Sequence, residues 1–505
     1  MKNKRFAFFG LIALIIMAVL TGLIAGCGSK PSENTKETNS SPDAPEHDAA
    51  EPADNDASYL PDKDYGGYEF RMVISDAMYD LTLYADIEEE TGDTVNDAIY
   101  RRNRLTEERY NIKFRQIGVS DYLSLPGTFN KSVVSGSDDF DLCMQISREA
   151  WSIALTGAIT PVNKLPYLDI SRPWYSRDVN SEISINGKLY FAYSDECLNM
   201  FEQTIGVLFN KKLVEDLALE NIYNLVKTGK WTADKFFALA RTAVADLDGN
   251  GEMTDTDRYG ILSQEDMLYP CFWVSGGIKT ISKDKDDLLV FTGGAEKLYT
   301  VLDRASQNLF GGEKILFEGW FDKITSYKAQ AGQLIARQVS RMQFENNLGL
   351  FYVTTIGMIP TLRGMETDFG ILPFPKCDES QEKYYSRVVD GWINCVPNTA
   401  TDLERTSIIM ETLAFESRNI TVPAYFETAL RTKYARDDES QEMLDIIHAN
   451  RTMDLGDVFY MDAVRNIYQV VLRAKDNSFA SAVEKNTDAI NKALANANEA
   501  ALALD

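Results

Sequence analysis

Oxygen side chains stand at positions 1, 3, 5, 9 and 12 of the stretch Asp246-Leu247-Asp248-Gly249-Asn250-Gly251-Glu252-Met253-Thr254-Asp255-Thr256-Asp257. A hard divalent cation needs such a set, with several oxygens at about 2.4 Å converged by a tight loop. Asp246, Asp248, Asn250 and Asp257 would offer side-chain oxygens. Glu252 would offer its backbone carbonyl, and Thr254 a contact through water. Gly251 suits the sharp turn, and Met253 is the apolar residue at position 8. Ligand number and spacing favour a structural Ca2+ here. The alternative is an acidic, Asx-rich turn without an ion.

Other chemistries are constrained by what the chain lacks. It has two histidines, His47 and His448. One histidine in a folded body argues against a Ser-His-Asp or Cys-His nucleophile, and against multi-histidine zinc or iron sites. Carboxylate-only chemistry, such as glycoside hydrolysis, passes this filter. The cysteines at 143, 197, 271, 377 and 395 are scattered, with no CxxC spacing. They read as buried free thiols, with a Cys377–Cys395 bridge left open. The net charge is −25, so the surface would repel nucleic-acid phosphates.

The elements that would position these groups begin after an export segment. Lys2, Lys4 and Arg5 precede an apolar run from Phe6 to Leu20, and Leu23-Ile24-Ala25-Gly26-Cys27 follows. This resembles a lipobox, so residues 1–26 are expected to be a signal peptide and Cys27 a lipidated N-terminus on the outer face of the membrane. Residues 27–64 are acidic, carry several prolines and lack apolar content, which suggests a disordered tether. The remaining residues suit two or three domains.

Strand patterns at 69–75, 111–117 and 140–144 alternate with helices at 96–110 and 126–134. This βαβαβ order predicts a parallel sheet covered by helices, with ligands beyond the strand ends at Ser75-Asp76 and Met144 to Arg148. Asn186-Gly187 marks a hairpin. Thr232 is a credible N-cap for a helix whose apolar residues fall on one face. The segment 481–505 is alanine-rich and helical.

Several segments, in order, resemble the extracellular solute-binding proteins of bacterial ABC importers, the broad family that includes maltose-binding protein. They are Gly157-Ala158-Ile159-Thr160-Pro161-Val162, Asn186-Gly187-Lys188-Leu189-Tyr190, Val207 to Leu213, Lys230-Trp231-Thr232 and Phe369 to Pro375. Tyr434-Ala435-Arg436-Asp437 and Met443 to Ile447 resemble a lipoprotein subgroup. The resemblance spans about Tyr68 to Leu472. It implies an α/β, two-lobe, type II periplasmic-binding-protein-like fold with a hinge and an interlobe ligand cleft. Residues 65–196 and 388–420 would form lobe 1. Residues 197–387 and 421–505 would form lobe 2, with the terminal helices mainly on it. The chain would cross near Asp195 to Thr204 and return near Tyr384 to Arg387.

Aromatic faces pack on the C–H faces of sugar rings, and polar groups select hydroxyls. The cleft candidates are Asp76 and Tyr79 after the first strand, Arg148 and Trp151 after the third, and Trp392 after Asp390-Gly391. The resemblance adds Tyr269 and Trp273, in an aromatic segment before a Gly-Gly turn. It also adds Asp195 and Glu196 at the hinge, where related proteins set a carboxylate against sugar hydroxyls. For the aromatics the alternative is core packing; for Arg148 and Asp195 it is an ion pair between lobes. Trp231 reads as core, and Trp174 and Trp320 as either.

The expected protein is a monomeric, lipid-anchored, non-enzymatic binder. It would deliver a small solute, an oligosaccharide by analogy, to an ABC permease. Two alternatives are a surface glycoside hydrolase using paired carboxylates and a calcium-dependent surface adhesion protein.

Overall fold

The computed structural model describes residues 56–75, 77–78, 81–82, 86–319, 336–426 and 437–504. Cys27, the signal peptide, most of the tether, Asp76, Tyr79 and Trp320 lie outside the described residues.

Two mixed sheets are built from β1 (Tyr68–Ser75), β2 (Ile112–Val119), β3 (Leu142–Ile146), β4 (Ile205–Asn210), β5 (Tyr259–Ser263), β6 (Leu316–Glu318), β7 (Gly349–Thr355), β8 (Phe369–Leu372) and β9 (Trp392–Cys395). The first sheet has the order β9-β3-β1-β2 and the second β6-β5-β7-β4-β8. In the first, β1 runs parallel to β2 and β3, and β9 runs antiparallel to β3. In the second, β5 runs parallel to β6 and β7, and β4 runs antiparallel to β7 and β8. The two reversed strands have one cause. Each is the first sheet strand after the chain changes lobe, so it starts at the hinge. It must therefore run away from the hinge, while its parallel neighbours carry their carboxyl ends toward it.

The crossings lie side by side. Thr204 pairs with Val388 in an antiparallel bridge, and Val389 N donates to Gln203 O at 3.0 Å. The two-lobe α/β fold is thus formed by one chain passing twice through a common hinge. A third passage follows helix Leu403–Glu416, which packs against helix Thr94–Tyr110 of lobe 1.

Local rules explain the elements. Asp93 caps helix Thr94–Tyr110 by accepting from Val95 N and Asn96 N, and Asn111 ends it in the left-handed region at φ 48°. Thr232 caps helix Ala233–Ala243 through Lys235 N. That helix buries Phe236, Leu239, Ala240 and Ala243, and each larger side chain contributes about 1.5–3 kcal/mol. It lies so close to β5 that a Cβ on Gly260 would come within 2.3 Å of Ala240 O. Strands β4 and β5 are buried along their whole length, as sheets covered on both faces require.

Two boundaries shift from the sequence reading. Residues 56–64, read as tether, are structured against lobe 1. Ala57 and Leu60 are buried, the Tyr59 hydroxyl donates to Glu411, and Lys63 pairs with Glu404 at 3.0 Å. The buried Glu411 also accepts from Trp174 Nε1 at 3.0 Å and Tyr175 Oη at 2.6 Å, so Trp174 is core. The last helix, Phe479–Ala503, also reaches lobe 1. Ala501 O accepts from Lys188 Nζ at 3.0 Å, and Leu504 lies against Gly157. The described cysteines are free thiols. Cys377 approaches Phe272 in lobe 2, while Cys395 faces Cys143 in lobe 1, so the open Cys377–Cys395 bridge is not formed.

Candidate functional site

The hinge brings together residues from three parts of the sequence. Asp195 and Glu196 stand where the chain leaves lobe 1, Trp392 and Asn394 lie on the returning β9, and Arg102 comes from the first long helix. Glu196 and Asn394 are both more than nine-tenths buried. Asn394 Nδ2 donates to Glu196 Oε2 at 2.7 Å. Burial raises the Glu196 pKa, and the Arg102 charge and the Asn394 bond oppose the rise. Trp392 and Asn394 are two residues apart on one strand, so their side chains share a face.

This polar cluster is incomplete. Glu196 Oε1, Asn394 Oδ1, Asn199 Oδ1 and Trp392 Nε1 are buried without a hydrogen-bond partner. Native proteins pair nearly all such atoms, and an unpaired one costs about 1–3 kcal/mol. Asn394 was missed at the sequence level. Its signal was a lone amide in the otherwise apolar run Trp392-Ile393-Asn394-Cys395.

Asp195 and Arg148 are both ion-paired, but within lobe 1 and not between the lobes. Asp195 pairs with Arg418 at 3.2 Å, and Arg148 pairs with Asp390, which also accepts from Ser147 Oγ. Burial lifts the Asp195 pKa to about 6, against the opposing charges of Arg418 and Arg451. The folded state therefore holds a proton on Asp195 that the unfolded chain, near 3.8, has lost. Stability tied to that proton is full below about pH 4 and is lost as pH rises through about 6. Asp195→Asn removes this loss. Its stability relative to the parent protein should rise between about pH 4 and 7, by at most about 3 kcal/mol. Urea unfolding at several pH values measures it, and a pH-independent difference would refute the assignment.

The remaining aromatics are dispersed. Trp151 is buried and stacks on Phe459 with centroids 5.0 Å apart at 23°, while its Nε1 donates to Tyr460 Oη at 3.3 Å. Its ring face is thus taken by the chain's own C-terminal part. Trp273 has no exposed surface, donates to Asp454 Oδ2 at 3.0 Å and packs on Tyr468. It belongs to the core of lobe 2, which corrects the cleft assignment. Tyr269 is buried too and lines a lobe 2 cavity. Trp231 is core and donates to Pro373 O at 2.9 Å. His448 packs against Phe201 and Phe426.

The 246–257 loop is closed at its base by an Ala245–Arg258 bridge. Asp246 accepts from Gly249 N at 2.7 Å and Gly251 N at 2.8 Å, and both glycines have positive φ. Asn250 Oδ1 accepts from Glu252 N at 2.7 Å, and its amide nitrogen donates to Asp248. Carboxylate oxygens of Asp246, Asp248 and Asp257 lie within 4.8 Å of one another. That spacing fits one Ca2+ among them.

No family model matches the chain, and no curated protein matches it in sequence. Solved structures match across most of its length. A cyclo/maltodextrin-binding protein complexed with maltotetraose shares 12% identity at a TM-score of 0.57, over 84% of this chain and 97% of that one. An ABC substrate-binding protein from Listeria monocytogenes, in complex with cycloalternan, shares 13% identity at 0.53, over 85% and 99%. A sugar transporter from Rhizobium etli in an open conformation shares 14% identity at 0.53, over 87% and 100%. The chain therefore has the two-lobe α/β fold of the maltodextrin-binding type of ABC substrate-binding protein.

Proposed function

We propose that the protein captures a neutral oligosaccharide at the hinge between its lobes and passes it to an ABC permease. The carrying observation is the buried pair Glu196 and Asn394, hydrogen-bonded to each other with one oxygen of each left without a partner. Acceptors that outnumber donors suit a ligand that donates hydroxyls. The fold supports this reading, since such hinges close on bound solutes. Cys27 would hold the protein by lipid on the outer face of the membrane, with the tether keeping it near its permease.

A thermal-shift screen against neutral trisaccharides tests the reading, because a ligand raises stability by RT ln(1 + [L]/Kd). A binder returns the sugar unchanged on chromatography. Shortened products would favour the hydrolase alternative.

The 246–257 loop would carry Ca2+ as a brace for lobe 2, with Asp246, Asp248 and Asp257 as its carboxylate ligands. Chelation with EGTA should lower the melting temperature by several degrees, as loss of about 1–3 kcal/mol would. Added Ca2+ should restore it, and Asp248→Asn should abolish the response. Identical melting with and without EGTA would refute the assignment.

A further inference from the structure

A cavity of about 370 Å³ lies in lobe 2, bounded by the strand β6, the end of helix Glu296–Phe310 and the end of helix Asn466–Ala474. It falls within the size range of small-molecule sites. Every lining residue belongs to β6, to the helix ends and loops around it, or to Tyr269, so lobe closure is not needed to form it.

Its lining is two-sided in chemistry. Tyr269 and Phe310 meet edge to face, with centroids 6.2 Å apart at 87°, and Leu309 and Leu316 extend the apolar wall. Glu318 lines the same cavity and is 5% exposed. Arg473 is held in place by Glu265, with Nε to Oε2 at 2.9 Å. Lys475 Nζ lies 5.2 Å from the Phe310 ring centre. Lys475 also closes its helix in the left-handed region, at φ 58°, a position that favours glycine. The chain places there a residue that carries a donor to the cavity rim.

The lining carries both signs of charge, so neither an anion nor a cation meets a uniformly complementary wall. An anion would meet Glu313, Glu318 and the negative ends of two helices. A cation would meet Lys314, Arg473 and Lys475. A neutral ring with an apolar face and several hydroxyls suits both the aromatic wall and the mixed donors and acceptors. We infer that this cavity is a second saccharide site, confined to lobe 2, that takes one or two neutral sugar rings independently of the hinge.

The test uses the full mature chain and saturation-transfer NMR with maltose, glucuronate and glucosamine as probes. Asn394→Leu is the background, because it removes the hinge contribution. Maltose should still bind that protein. Adding Phe310→Ala or Glu318→Gln should weaken the residual binding by about tenfold or more. Thermal melting confirms that each variant is folded, and Lys475→Ala serves as a third, surface substitution. The inference is overturned if maltose does not bind the Asn394→Leu protein. It is also overturned if Phe310→Ala, Glu318→Gln and Lys475→Ala leave that binding unchanged, or if either charged probe binds there more tightly than maltose. Hinge binding is read separately in the parent protein, so failure at the hinge and failure at this cavity give different results.

Discussion

Replacing Arg387 with methionine is expected to destabilise the protein by about 3–5 kcal/mol. Arg387 and Asp457 have no exposed side-chain surface and meet through two hydrogen bonds, Nε to Oδ2 at 2.6 Å and Nη2 to Oδ1 at 2.9 Å. Arg387 also donates to Asp266 O at 2.9 Å. Removing the guanidinium leaves a buried carboxylate whose nearest remaining cation is Arg465, at 3.7 Å. The loss would spread to the hinge. Ser386 and Arg387 pair in parallel with Arg451 and Thr452, just before the chain re-enters lobe 1 at Val388. The double substitution Arg387→Met with Asp457→Leu should recover much of the stability, since replacing both partners removes the stranded charge. Urea unfolding midpoints measure both effects. A single-variant loss below about 1 kcal/mol would mean the pair does not lock the return crossing.

The second large effect concerns binding. Asn394→Leu keeps the side chain's approximate volume but removes its amide. Glu196 then loses its donor, and the ligand loses an acceptor in a buried site. Each unpaired buried group costs about 1–3 kcal/mol, so saccharide affinity should fall about 100-fold. Glu196→Gln should be milder, because its carbonyl can still accept from Asn394. Trp273→Ala should behave oppositely. It opens a void beside Asp454 and Tyr468 and should cost about 3–5 kcal/mol of stability, with little effect on affinity once the protein is folded.

The parallel strands β1 and β2 were legible because apolar residues recur at alternate positions, Phe70, Met72 and Ile74 in one and Ile112 and Phe114 in the other, with a clearly capped helix between them. The expected hinge position came from the family resemblance and not from local periodicity. The returning β9 was not assigned as a strand, since four residues carry too little periodicity. Trp273 was misplaced because its fate depends on Asp454, 181 residues later, whose buried carboxylate accepts a hydrogen bond from the indole N–H. The tether was drawn too long for a similar reason. Residues 56–64 look disordered until the buried Glu411 is seen to accept from Tyr59. Trp151 could not be settled locally either, because its stacking partner Phe459 comes from the far end of the fold. In each case a long-range polar or aromatic partner overrode a sound local reading.

The central claim is that a neutral oligosaccharide binds at the hinge. Calorimetric titration of a neutral trisaccharide panel, maltotriose included, into the parent protein and Asn394→Leu tests it most directly. The account predicts saturable, stoichiometric binding of at least one trisaccharide to the parent protein, and about 100-fold weaker binding to the variant. Equal affinity for both proteins, or no trisaccharide binding to the parent protein, would contradict it.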